Sequence, residues 1–299
     1  MKLPQLSQIP RIRFPQFSES VLLGGAALLV GFGTAAGIWL FKALVSWLER
    51  LLRVELGDML TQFAPWLVIL LPAAGGILVS LLASHFIGEE RHHGVAGIIE
   101  ATALAGGRLR YRRLPAKVLA AALSIGSGAS VGPEDPSVQI GANIGSFFGQ
   151  KAHLSDERMR TLVAAAFNAP IAGVFFSLEI ILGEIGGGAL GVVVLSAVVS
   201  SVLTQAVTGA NPAFDIPAYT FNSAWEFPLY LGLGIMAGLA SAFYSHLLYV
   251  FKDVFHQLDK RLAWLRTALV GLTLGLVGLW LPQILGVGYE TIEEILNGA

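Results

Sequence analysis

Gly126-Ser127-Gly128-Ala129-Ser130-Val131-Gly132-Pro133-Glu134-Asp135-Pro136-Ser137-Val138-Gln139-Ile140-Gly141 sets two adjacent carboxylates in a glycine-rich break between apolar segments. A glutamate in a membrane-embedded chain is costly unless it faces water, a partner or a substrate path, which makes Glu134 a functional candidate by default. Pro136 stands where a helix could begin, so the stretch predicts a helix entrance crowded by Gly132, Glu134 and Asp135.

The surroundings of this stretch are those of a membrane protein. Of 299 residues, 55% are hydrophobic and 13% charged, and the mean hydropathy is +0.69. Soluble domains carry about 25% charged residues. The apolar residues fall in long runs separated by short polar loops, which predicts an all-α polytopic membrane protein. The 35 glycines suit closely packed and broken helices. Without cysteine there is neither a disulfide nor a thiolate metal site, and a net charge of -1 argues against nucleic acid as a partner.

Residues 1–18, with Lys2, Arg11 and Arg13, read as a basic cytoplasmic arm, followed by a first span at Ser20 to Leu48. A mixed-charge loop is predicted from Glu49 to Asp58, and a second span from Pro65 to Ile87. Gly94 to Leu104 is too short to cross and reads as a re-entrant half-helix. The loop with Arg108, Arg110, Arg112, Arg113 and Lys117 is cytoplasmic by the positive-inside rule, as is the patch of Lys151, Arg158 and Arg160. Helices are further predicted at Val118 to Ser130, Ser137 to Phe148, Leu190 to Val207, Phe227 to Phe251 and Ala268 to Leu281. Thr161 to Ile181 breaks the inside–outside alternation. It reads either as two half-helices folded at Asn168-Ala169-Pro170 or as irregular topology.

Four stretches resemble the CLC family of chloride channels and proton-coupled chloride transporters. They are the signature at 126–141, Phe167 to Glu179 (FNAPIAGVFFSLE), Leu114-Pro115-Ala116-Lys117, and Leu285-Gly286-Val287-Gly288-Tyr289. The resemblance implies an inverted-repeat fold with re-entrant broken helices, of which the chain carries the first repeat and the start of the second. It divides the chain into a cytoplasmic arm (1–18), a first inverted half (19–208), an extracytoplasmic loop (209–225) and the opening helices of a second half (226–299). It further implies an inner-membrane homodimer among lipids, with chloride as the transported ion and no cofactor. Glu134 becomes the gate, with His93, Gly94, Val95, Gly132, Pro133 and Asp135 lining the anion path and Asn168, Pro170 and Glu179 shaping a structural helix. Helix N-termini suit such a path, since backbone N–H groups and the helix dipole hold an anion without a buried lysine. Glu134 as a mere helix cap stands beside the gate reading.

The departures from the family pattern carry expectations of their own. Pro133 precedes the Glu where the family has Lys or Arg, and Asp135 replaces a Gly. A second carboxylate would repel chloride unless protonated, paired or turned away, so altered gating or reduced conduction is expected. His93 stands where the family has a chloride-contacting serine, and its charge would vary with pH; His92 reads as a solvated loop residue, and for His93 that reading stands beside the anion contact. Ile180 follows Glu179 where exchangers carry a second Glu, which favours a channel-type member over a proton-coupled antiporter. Between Arg160 and Phe167 the chain is shorter than the family by about two helical turns. The family's later chloride-site segments are also not found before Ala299, so little flux is expected of this polypeptide alone. A non-conducting fragment acting only by assembly, with 170–181 and 190–207 as its dimer face, is a second reading. A membrane hydrolase built on His85, Glu89, Glu90, His92 and His93 is a third, although no H-E-x-x-H or G-x-S-x-G spacing supports it.

Overall fold

The computed structural model describes residues 19–88, 94–165, 169, 171–183, 187–209, 217, 223–257 and 263–298. Every regular element among them is helical. The chain runs through α1 (Glu19–Glu49), a π-helical stretch (Arg50–Leu56), α2 (Gly57–Phe63), α3 (Leu70–Leu82), α4 (Gly94–Leu104), α5 (Leu114–Gly126) and α6 (Glu134–Lys151). It continues through α7 (Asp156–Ala164), α8 (Ala172–Phe176), a π stretch (Ser177–Leu182), α9 (Gly187–Thr208), α10 (Glu226–Gln257), α11 (Ala263–Gly278) and α12 (Tyr289–Leu296).

Among the described residues, four helices are long and apolar enough to cross a membrane: Val21–Phe63, Pro65–Ile87, Ala189–Thr208 and Glu226–Phe255. The second coincides with the span read from sequence. Val21–Phe63 does not, because the mixed-charge stretch at 49–58 is helical throughout instead of looped. Its charges are placed one turn apart, and Arg53 donates to Glu49, so the helix carries them without a break. In α10 none of the most apolar window is buried, and Leu231, Ile235, Leu239 and Phe243 are exposed along it. A helix apolar all round with no protein cover is matched to a lipid solvent.

The helices cluster into two compact units. One comprises the described residues within Met1–Ala36, Ile98–Tyr111 and Gly141–Leu203. Its core centres on Val30 and Leu162, with Ala26, Phe148, Leu154 and Val192 packed around them. The basic loop after α4 is tied to α6 here: Ser146 Oγ donates to the Gly107 carbonyl and accepts from the Leu109 N–H, both at 2.8 Å. Gln150 Nε2 donates to the Leu109 carbonyl at 2.9 Å. In the same unit α7 and the α8 helix are separate elements, so the segment at 161–181 is broken, as one of its two readings had it. The predicted fold point, Asn168 and Pro170, lies outside the described residues.

The other unit comprises the described residues within Gly37–Gly97, Arg112–Ile140 and Thr204–Ala299. Its tightest contact is α3 against α11. Gly271 faces the backbone of Pro72 and Ala73, and Gly275 faces that of Ile69, so that a Cβ at either would strike main chain. Where lipid is the solvent, helices associate through such close packing more than through apolar burial.

Candidate functional site

α6 begins at Glu134, earlier than the start at Pro136 or Ser137 read from sequence. The Pro133 carbonyl accepts both the Ser137 N–H at 3.1 Å and the Ser137 hydroxyl at 2.7 Å, which closes the first turn. Pro136 then occupies the third helical position, where its missing N–H would have had no partner within the helix. Both acids therefore lie in the first turn, where negative charge meets the positive end of the helix dipole.

The two carboxylates part company there. Asp135 reaches α4: its Oδ1 accepts the Val95 N–H at 2.8 Å, and its Oδ2 accepts from Gln139 Nε2 at 2.7 Å. Gly94, with φ +69, brings the start of α4 against this carboxylate, and a Cβ there would collide with it. The second acid is thus paired, one of the three conditions under which it could stand beside an anion path. A charged acceptor on a helix-terminal N–H is among the stronger hydrogen bonds a protein makes.

Glu134 is exposed and turns elsewhere. The Tyr289 hydroxyl, at the start of α12, donates to Glu134 Oε1 at 3.1 Å. The other oxygen, Oε2, lies over Gly132, and a Cβ at that position would occupy the same space. Tyr289 lies outside the four candidate spans. Its phenol is held above the usual range, first by burial and then by the charge of Glu134 and the hydrogen bond to it, so it remains a donor at neutral pH.

Of the residues singled out from sequence, Gly94, Val95 and Asp135 meet at one junction, and Gly132, Pro133 and Glu134 at the next. Glu179 is exposed in the π stretch after α8. His93, Asn168 and Pro170 lie outside the described residues, as do Glu89, Glu90 and His92 of the hydrolase reading. His85 Nδ1 lies within hydrogen-bond distance of the Leu81 carbonyl, and no metal-binding cluster occurs among the described residues. Two residues of the site were not foreseen. Gln139 had a local signal, its position four residues after Asp135 on a helix. Tyr289 ends the Leu285–Tyr289 stretch of the resemblance, but its contact with Glu134 had no signal, since a 155-residue separation leaves no trace in periodicity.

The voltage gated chloride channel family profile matches residues 75–299. A ClcB-like chloride channel protein of Ralstonia nicotianae is 34% identical over 78% of this chain and 57% of its own length. Chloride channel protein CLC-e of Arabidopsis thaliana is 30% identical over 96% of this chain and 43% of its own length. The chain thus spans roughly half the length of these relatives. The crystal structure of a slow cyanobacterial Cl−/H+ antiporter superposes with a TM-score of 0.79 at 23% identity, over 93% of this chain and 68% of that one. The fold is accordingly that of the CLC transporters, the protein is an integral membrane protein, and the chain belongs to the voltage gated chloride channel (CLC) family.

Proposed function

We propose that the protein carries chloride across a membrane as a channel-type CLC subunit, with Glu134 as the gate of the anion path. The observation that carries this reading is the exposed Glu134 carboxylate at the N-terminus of α6, resting over Gly132 and held by a side-chain hydroxyl. A carboxylate there is a tethered anion at a site that suits chloride. When it is protonated or swings away, the helix N-terminus becomes available to the ion. Asp135 does not compete for that role, because its charge is engaged by Val95 and Gln139. Names of the relatives support chloride as the ion, and Ile180 after Glu179 supports a channel over a proton-coupled exchanger. A homodimer in the plasma membrane, with Gly94, Val95, Gly132 and Pro133 lining the path, completes the proposal.

Chloride binding to the purified protein, followed by calorimetry across a pH series, tests it. Wild type should bind more tightly as pH falls and Glu134 is neutralised, whereas Glu134→Gln should bind tightly throughout. Identical pH profiles for the two proteins would remove Glu134 from the gate. Proton movement against its gradient, driven by chloride in liposomes, would replace the channel reading with the exchanger.

A further inference from the structure

The turn before α12 is docked on the signature by more than one contact. The Gly286 N–H donates to the Gly128 carbonyl at 3.3 Å. The Leu285 side chain lies against Gly278 of α11 on one side, and on the other it would touch a Cβ placed at Gly128. Gly286 and Gly288 have φ of +82 and +79, a left-handed backbone that turns the chain back to begin α12 with Tyr289. That geometry sets the phenol on the carboxylate of Glu134 while Gly132 leaves room for it on the opposite side.

We propose that Tyr289 is a positioning residue for Glu134: its hydroxyl latches the carboxylate in the closed position, and the Leu285–Gly288 turn sets how readily the latch lets go. The proposal rests on the gate reading of Glu134 given above. Donation from the phenol holds the carboxylate where it lies and so opposes its outward swing. The neighbouring acid does not draw on this phenol, since the Asp135 oxygens accept from Val95 and Gln139. A latch from α12 couples the gate to a helix remote in sequence, so a shift of that turn would change how often the gate opens without touching the anion.

Calorimetric chloride binding at neutral pH by wild type, Tyr289→Phe, Glu134→Ala and the double variant tests the latch. Phe keeps the ring and removes only the hydroxyl. Tyr289→Phe should strengthen chloride binding about three- to tenfold, the span of one hydrogen bond of ordinary net strength. The same change in the Glu134→Ala background should do nothing, because no carboxylate remains to be held. A purely structural tyrosine would shift binding equally in both backgrounds, and that result, or no gain from Tyr289→Phe while Glu134→Ala gains, overturns the latch alone. If Glu134→Ala binds chloride as wild type does, the gate reading fails and the latch falls with it. Gly132→Ala provides a second route that leaves α12 untouched: its Cβ pushes the carboxylate off its seat, and it should mimic Tyr289→Phe. Unchanged binding in Gly132→Ala would overturn the seat and the latch together.

Discussion

Glu134 and Asp135 are consecutive residues in one helical turn, yet they belong to two different junctions. Asp135 joins α6 to α4 through the Val95 N–H, with Gln139 supporting it from the next turn. Glu134 joins α6 to α12 through a phenol and lies over a glycine. Adjacent side chains on a helix point about 100° apart, so a pair of acids in sequence is not a pair in space. The first junction satisfies a helix-terminal N–H with a charged acceptor. The second keeps an exposed charge on a contact that could be given up. One acid is therefore built as part of the scaffold, and the other is placed where it could move.

The contrast can be broken most forcefully at Glu134. Glu134→Gln should abolish the pH dependence of chloride binding while leaving the melting temperature in detergent near that of wild type. A collapse in stability with the pH response intact would instead make Glu134 the structural acid. At the other junction Asp135→Ala strips the acceptor from Val95 and Gln139 and should lower stability by about 1–2 kcal/mol, the usual cost of losing a helix cap. Thermal unfolding is the measurement, and Asp135→Asn, which keeps an acceptor, should recover part of the loss. Gly271→Leu sharpens the distinction between site and scaffold. Its side chain meets the main chain of Pro72 and Ala73, so overpacking of α3 against α11 should cost about 1–3 kcal/mol, read by the same unfolding assay. Smallest is Gln139→Leu, which leaves the Val95 bond in place and should cost about 0.5–1.5 kcal/mol, the net worth of one hydrogen bond. A Gln139 effect as large as that of Asp135 would shift the weight of the junction from the helix terminus to the side-chain pair.

Much of the scaffold was legible because it is local. The run Pro65–Ile87 declares a span by length and apolarity, and Gly94–Leu104 declares a short helix by the same measure. Counting crossings flagged 161–181 and left two readings open, two half-helices or irregular topology; α7 and α8 are separate elements there. The stretch at 49–58 misled because its charges look like a loop in composition, whereas Glu49 and Arg53 neutralise one another across a turn. The start of α6 was set too late for a related reason. Proline was read as the first helical residue, but any of the first turn's positions can do without an N–H, and Pro133 supplied the capping carbonyl.

By itself, the sequence determined that this is a helical membrane protein of the CLC family, and it singled out 126–141 as the candidate site. Composition, run length and a long specific motif are properties of neighbouring residues, and they survive without knowledge of the fold. Only the tertiary structure decided that Asp135 caps α4, that Glu134 meets Tyr289, and that the two acids make different contacts. Those contacts span 40 and 155 positions, and at such separations a partner is chosen by where helices pack and turns reverse, not by the spacing of residues along the chain.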